Sequence, residues 1–331
     1  MKRLILILLT MMCCTSCTAL PAEERAFAVV LLVDRDSSAW RVHGQLPTYR
    51  SGGGYLTVTG EGDTLPAALA DLEAAAPMHV NLSQLRLLVL TKAVADVGEL
   101  ALVLTTLSDR PDMRPSCAIA LTEAPADVLM QALEPATGTR LSKSIDVLLE
   151  SRLEQGSILP ATLAEVLRMG MRQSPVLIAA NLRDQQLDLS GGYPLTASFR
   201  VCERLTPEET ALLSLLTGRT KALRLTLSGM SAQVREASAK VALSQDFQSA
   251  TVTLRLRVTA ASCSPADIET RLADASVTLL SGLSAQGCDV LGLGRQAILH
   301  AHDMPAWRSF DWPARCKQLH WRVSVQMSGP T

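Results

Sequence analysis

Four short patterns in this chain have the residue types that chemistry needs. Gly292-Leu293-Gly294-Arg295-Gln296-Ala297 has the G-x-G-x-x-A spacing of a dinucleotide turn, after a short strand pattern and before a helical one. Such a site needs a following strand with an acidic residue about 20 positions on, to hold the ribose. The next strand pattern ends at Met327 without an Asp or Glu. The two glycines therefore read as the means of making a tight strand-to-helix turn. Gly282-Leu283-Ser284-Ala285-Gln286 approaches a serine-nucleophile elbow, but Gln286 stands where the closing glycine belongs and the stretch lies inside a helical pattern. His300 and His302 also fall in a helical stretch, which sets their side chains about 200° apart. Cys316 and His320 have helical spacing, yet Leu319 begins a strand, and no second ligand pair accompanies them. The sequence assigns no catalytic residue, no metal ligand and no cofactor site.

Covalent chemistry of another kind is written near the start. Lys2 and Arg3 precede an uncharged run, Leu4 to Met12, that is too short for a stable membrane span. Thr15-Ser16-Cys17 then places small residues directly before a cysteine, which resembles the lipobox of bacterial lipoproteins, with Cys14 where that motif usually has Leu. In such proteins the cysteine sulfur receives a diacylglyceryl group, and cleavage leaves that cysteine as the first residue. The expectation is a signal peptide over residues 1–16 and an anchor at Cys17. Each buried methylene contributes about 0.8 kcal/mol, so two acyl chains hold a domain on a membrane where one is marginal.

Cleavage removes Cys13 and Cys14 from the chain's eight cysteines, and the lipid occupies Cys17. Cys117, Cys202, Cys263, Cys288 and Cys316 remain, scattered and without CxxC spacing. They read as buried small hydrophobes, with room for one bridge whose partners the spacing does not identify. Hydrophobic residues make up 48% of the 331, but aromatic ones only 3%, so the core must be built from Leu, Val and Ala. Losing Lys2 and Arg3 takes the net charge from −1 to −3, which excludes the basic balance of a nucleic-acid binder. Beyond residue 17 no apolar run is long enough to span a membrane.

The elements that would position these residues follow from hydrophobic periodicity. Phe27–Val33 is a continuous apolar run of a buried strand, Trp40–Leu46 alternates, and Gly54–Thr59 is a third strand. Leu65–Ala76 is a helix, Leu85–Thr91 a buried strand, and Val94–Leu107 one helix with Leu100, Val103, Leu104 and Leu107 on a face. Pro115–Leu121 reads as a strand, Ala126–Leu133, Ile145–Glu154 and Ala161–Arg168 as helices, and Val176–Leu189 as an extended hairpin. Ser190-Gly191-Gly192, with Pro194, marks a boundary, so residues 17–189 form an N-terminal α/β region of two sub-domains and 190–331 a C-terminal domain. Leu195–Cys202 then reads as a strand, and Thr206-Pro207-Glu208-Glu209 carries a capping box that opens a helix ending at Gly218. Leu223–Leu227, Gln233–Leu243 and Ala250–Thr259 are strands, Ser264 caps a helix running to about Ala285, Cys288–Ala301 leads into another, and Leu319–Met327 is the last strand. Runs of strands occur beside alternation, which predicts an α+β fold with mixed sheets, packed helices and two to three sub-domains.

Trp307, Trp312 and Trp321 gather near the end of the chain. Trp321 alternates in phase with Leu319, Val323 and Val325 and reads as core. Trp307 and Trp312, and Leu20, Ala26 and Phe27 near the anchor, are the candidates for an interaction surface.

Taken in order, the lipobox, residues 64–130, "LTASFRVCERLTPEETALLSLLTGRTK" and "CDVLGLGRQAILHAHDMPAWRSFDWPARCKQLHWRVSVQM" resemble the C-subunit lipoproteins of spore germinant receptors, the Ger(x)C family. The resemblance runs from Cys17 to near Met327 and departs at Thr18-Ala19-Leu20, where the family often has Trp and charge, and at Gln84, often His. It implies a non-enzymatic protein of mixed α/β fold, tethered by Cys17 to the outer face of the spore inner membrane. Its partners would be an integral-membrane B subunit and a membrane-embedded A subunit. The competing expectation is a solute-binding lipoprotein of an uptake system, which also needs a lipobox but has two α/β lobes around a cleft.

Overall fold

A computed structural model describes residues 21–36, 38–48, 54–133, 140–170, 173–219, 222–227, 229–299 and 310–328. Cys17, Leu20, Trp307, His300 and His302 lie outside the described residues.

The first region is built on a seven-stranded sheet of order β4-β3-β2-β6-β7-β8-β9. Its strands are β2 (Val30–Arg35), β3 (Trp40–Thr48), β4 (Gly54–Gly62), β6 (Leu87–Thr91), β7 (Ala118–Thr122), β8 (Val176–Arg183) and β9 (Gln186–Pro194). β2, β6, β7 and β8 run parallel, while β3, β4 and β9 join antiparallel at the two sides. Parallel strands need covered crossovers and so are buried on both faces. Accordingly every residue of β6 and β7 is buried. Fully burying one Leu or Val side chain stabilises by about 1.5–3 kcal/mol, and this sheet core holds dozens of them. A small parallel pair, β1 (Arg25–Phe27) with β5 (His79–Asn81), lies where the chain enters the fold.

The helix Leu65–Ala75 lies against β3 and β4, capped by Thr64, whose hydroxyl accepts the Ala67 N–H at 3.3 Å. Its approach is very close: a Cβ on Gly60 would sit 2.2 Å from the Leu72 nitrogen, and one on Gly62 would sit 2.6 Å from the Ala68 nitrogen. Only glycine lets helix and strand backbones meet at that distance.

The second region is a four-stranded sheet, β10 (Leu223–Leu227), β11 (Met230–Leu243), β12 (Ser249–Ala261) and β13 (His320–Ser328), in that order. β10 to β12 form an antiparallel meander, and β13 adds parallel to β12. Here burial alternates: Val252, Leu254, Leu256 and Val258 face inward and Arg255 and Arg257 face out. The 21-residue helix Pro265–Ala285 lays Ile268, Leu272, Leu279, Leu280 and Leu283 on the inner face. The helix Pro207–Leu216 packs between the two sheets, contacting β9, β10 and β11. Its capping box is present, with Thr206 Oγ1 accepting the Glu209 N–H and the Glu209 carboxylate accepting the Thr206 N–H. The whole is an α+β fold with mixed sheets.

Four expected elements differ. The Phe27–Val33 run is two strands, because the chain leaves the small pair at Ala28 to join the large sheet at Val30. The single helix expected over Val94–Leu107 is two, Lys92–Asp96 and Leu100–Ser108, broken at Gly98 with φ 78°. Leu195–Cys202 is a turn closed by one Leu195–Val201 bridge, with Phe199 in the left-handed region at φ 59°. The helix expected in Cys288–Ala301 is confined, among the described residues, to Leu293–Ile298. Residue 190, taken as a boundary, lies inside β9. The glycines that suggested a break instead admit a neighbouring backbone: Leu205 exchanges hydrogen bonds with Gly192 at 2.8 and 3.3 Å, and a Cβ on Gly191 would lie 2.5 Å from the Leu205 oxygen.

Candidate functional site

The glycine pattern at residues 292–297 sits at the start of the Leu293–Ile298 helix, with Gly292 in the left-handed conformation at φ 70°. The backbone N–H groups that would cradle a phosphate are already bound within the chain. Asp289 accepts the Leu293 N–H at 2.8 Å and the Gly294 N–H at 2.6 Å, and its Oδ2 also accepts the Trp312 indole N–H at 3.0 Å. A Cβ on Gly294 would meet the Trp312 ring at 2.8 Å, so the second glycine makes room for tryptophan. Burial pushes the Asp289 pKa up, with those three donors opposing it. The nest is also tied to the first region. Ser174, buried just before β8, donates its N–H to the Asp289 carbonyl, and its hydroxyl accepts the Asp289 N–H, both at 2.8 Å.

This arrangement corrects one expectation. Trp312 is not part of an interaction surface; it is buried with Ala250, Leu293, Ala297, Cys316 and Leu319. Its indole N–H is what the buried carboxylate requires, since a buried charge must be hydrogen-bonded. Trp321 follows the alternation of β13 and donates to the Ser284 hydroxyl at 2.8 Å. Phe27 is half-buried in β1, opposite Asn81, and Ala26 is buried.

Of the body cysteines, Cys202 and Cys288 form a disulfide. It ties the connector after β9 to the turn after the Pro265–Ala285 helix, immediately before Asp289. Cys117 and Cys316 are buried thiols, both pushed up to about 12 by burial, so neither supplies a thiolate nucleophile near neutrality. Cys263 is half-buried and unbridged.

A further group of titratable side chains lies beyond β7. Glu123 pairs with Lys92 at 3.2 Å, which holds its carboxyl below the usual range. Tyr193, with Arg204 5.8 Å from its ring, is pushed up to about 12 by burial and stays a phenol. Among the described residues no three His, Cys, Asp or Glu side chains converge to hold a metal ion, and no helix is long and apolar enough to cross a membrane. Exposed apolar side chains do occur, Val97 and Leu102 near the helix break and Leu299 after the glycine-led helix.

The spacing of the chain did not point to Asp289, which lies three residues before the N-cap Gly292, outside the position where a capping acid is expected. Ser174 carried no sequence signal at all, since it reaches Asp289 across 115 positions.

Residues 19–180 match the family model described as the spore germination protein N-terminal domain. Among curated proteins none matches the chain in sequence. Among solved structures the chain is similar to one described as the crystal structure of the GerBC protein, with a TM-score of 0.56 at 12% identity, covering 91% of this chain and 97% of that one. At that identity the likeness is one of fold, and it extends across both sheets. The sequence match thus identifies a spore germination protein N-terminal domain over residues 19–180, and the fold likeness to GerBC continues beyond it into the second region.

Proposed function

We propose that this chain is the lipid-anchored C subunit of a spore germinant receptor. It acts by assembly with integral-membrane A and B subunits on the outer face of the spore inner membrane, and catalyses no reaction. The observation that carries the reading is the fold shared with GerBC over 91% of this chain, joined to the spore germination domain at residues 19–180. The solute-binding alternative expects two like α/β lobes, whereas one mainly parallel sheet and one antiparallel meander stand here. The non-enzymatic reading is supported by the groups at the glycine turn, which are consumed in holding Asp289 and Trp312 together.

Anchoring follows from Thr15-Ser16-Cys17 behind an apolar run. A lipid tether confines the body beside its partners and raises their effective concentration, so weak docking contacts become occupied. Leu20 and the half-exposed Phe27 near the anchor, and Trp307, are the docking candidates. Metabolic labelling with a fatty acid tests the anchor: the Cys17→Ala protein should carry no label and leave the membrane fraction, and persistent label would move the anchor elsewhere. Deleting the gene and measuring spore germination and the levels of the A and B subunits tests the role. Unchanged germination on every germinant would sink it.

A further inference from the structure

We propose that a concavity where the two regions meet binds a phosphate-bearing anion through Arg168, Arg219 and Arg295. The space measures about 470 Å³, within the range of small-molecule sites. Arg168 comes from the last turn of the Leu163–Gly170 helix, Arg219 from just past the Pro207–Leu216 helix, and Arg295 from the Leu293–Ile298 helix. Three elements far apart in sequence thus contribute one arginine each to the lining, and no acidic residue is in it. The chain as a whole has 31 basic and 32 acidic residues, so this is a local excess and not a reflection of composition.

The guanidinium groups also have donors to spare. Among the described residues, Arg168 and Arg295 have no ion pair. Arg219 has Glu165, at the long distance of 3.8 Å, and its Nη2 donates to the Met169 sulfur at 3.5 Å; the other oxygen of Glu165 is engaged with the N–H and hydroxyl of Thr162 at 3.1 and 2.9 Å. An anion entering the space is attracted by each of these cations.

The chemistry selects the ligand class. Arginine's planar fork matches the oxygens of a phosphate with two parallel hydrogen bonds, and three such forks suit a group carrying more than one negative charge. Gly292 lies in the wall, but the following amides are held by Asp289, so recognition falls to the side chains. Gln296 fixes the helix that carries Arg295, its side chain accepting the Leu243 N–H at 3.2 Å and donating to the Val241 carbonyl at 3.3 Å. Leu299, 78% exposed, stands at the rim and would meet an apolar substituent. The same phosphate chemistry belongs to a soluble compound or to a lipid headgroup, and the experiment separates the two.

Calorimetric titration of the full-length chain at low ionic strength would use inorganic pyrophosphate in one arm. The other arm would use dihexanoyl phosphatidic acid, whose phosphomonoester can carry two negative charges, below its micellar threshold. The expected result is saturable binding in at least one arm, weakened at least about tenfold in the Arg168→Gln/Arg295→Gln variant and by added salt. An Arg200→Gln/Lys317→Gln variant, altered at a separate basic concavity, should bind as the parent does. Circular dichroism confirms that each variant is folded. Binding of pyrophosphate identifies a soluble source, and binding of the lipid alone identifies a headgroup. The proposal is overturned if neither probe binds, if the arginine variant binds undiminished, or if the control pair loses as much.

Discussion

β6 is buried at every position from Leu87 to Thr91, whereas in β12 burial alternates from Ala250 to Val258. The two strands are central in their sheets, and the difference lies in what covers them. β6 has packed elements on both faces, as a parallel strand with crossover connections must. β12 has the Pro265–Ala285 helix on one face and solvent on the other. The first region therefore directs nearly all its apolar content into a sealed core, while the second keeps a charged outer face. Where they meet, the Ser174–Asp289 hydrogen bonds and the Cys202–Cys288 disulfide join them. The teaching is that the two regions, covered so differently, are fastened to each other by specific polar and covalent links at Ser174–Asp289 and Cys202–Cys288.

The disulfide offers the largest test of that contrast. It closes a chain separation of 86 residues, for which the chain-entropy model gives about 4.6 kcal/mol. A Cys202→Ser/Cys288→Ser variant should lose stability of that order in chemical denaturation. Amide exchange in β2, β6 and β7 should stay slow, because those strands lie outside the closed loop. Equal loss of protection in both sheets would show one cooperative unit where the contrast implies two.

Next comes the packed side of the comparison. Gly60→Ala would drive a methyl group into the backbone of the Leu65–Ala75 helix, where Leu72 N and Ala68 O lie 2.2 and 2.3 Å from the new atom. Backbone cannot rotate aside, so the cost should reach about 3 kcal/mol, the upper end for overpacking. Gly282→Ala, with open space around it in the second region's long helix, should be neutral or stabilising. Urea midpoints of the two variants make the comparison directly.

Much of the second region was legible because its signals are local. Alternation in β12 and β13, the Thr206–Glu209 capping box and the Ser264 cap each depend on neighbours within a few positions. In the first region the strands were legible as runs, but their ends were not: a strand buried on both faces has no period to mark where it stops. Gly98 broke a helix whose apolar spacing continues across it. Gly191 and Gly192 were misread for a physical reason, since glycine serves both turns and close backbone approach, and only the position of Leu205 decides between them. The site was least legible of all. Asp289, Trp312 and Ser174 come together over long sequence separations, and cysteine spacing does not reveal pairing. Aromatic tryptophan near a chain end suits an interface and a core equally, and the buried carboxylate is what settles Trp312.

Trp312→Phe isolates that carboxylate. One ring is kept, the Asp289 Oδ2 loses its 3.0 Å donor and part of the indole site is left empty, so about 2–3 kcal/mol should be lost. Acid titration then sets the two regions apart. Asp289 in the second region has a pKa raised above 3.8 by burial. Between the unfolded and folded values the native state holds a proton that the unfolded chain has released, so the stability it contributes falls as pH rises through that window. Asp112 in the first region is also partly buried, but Arg110 and the Leu82 N–H outweigh the burial and lower its pKa. Its contribution is complete above 3.8 and is lost as pH falls through the lower folded value. Wild-type stability minus that of Asp289→Asn should therefore decrease with rising pH, and the corresponding difference for Asp112→Asn should increase. Slopes of the same sign would contradict the assignment.

The smallest effect belongs to the solvent face of the second sheet. Arg257 Nη1 lies 3.0 Å from Glu236 Oε1 across β11 and β12, which by geometry is a sound ion pair. Yet the two side chains are 59% and 70% exposed, so water and salt screen the attraction, and holding two long side chains in one geometry costs entropy. Arg257→Ala should change stability by less than about 0.5 kcal/mol. A double-mutant cycle with Glu236→Ala should give a coupling near zero at physiological salt. A coupling several times larger would mean that the outer face of β11 and β12 is not freely solvated in the assembled protein. It would move the search for a partner surface from the anchor-proximal residues to this sheet.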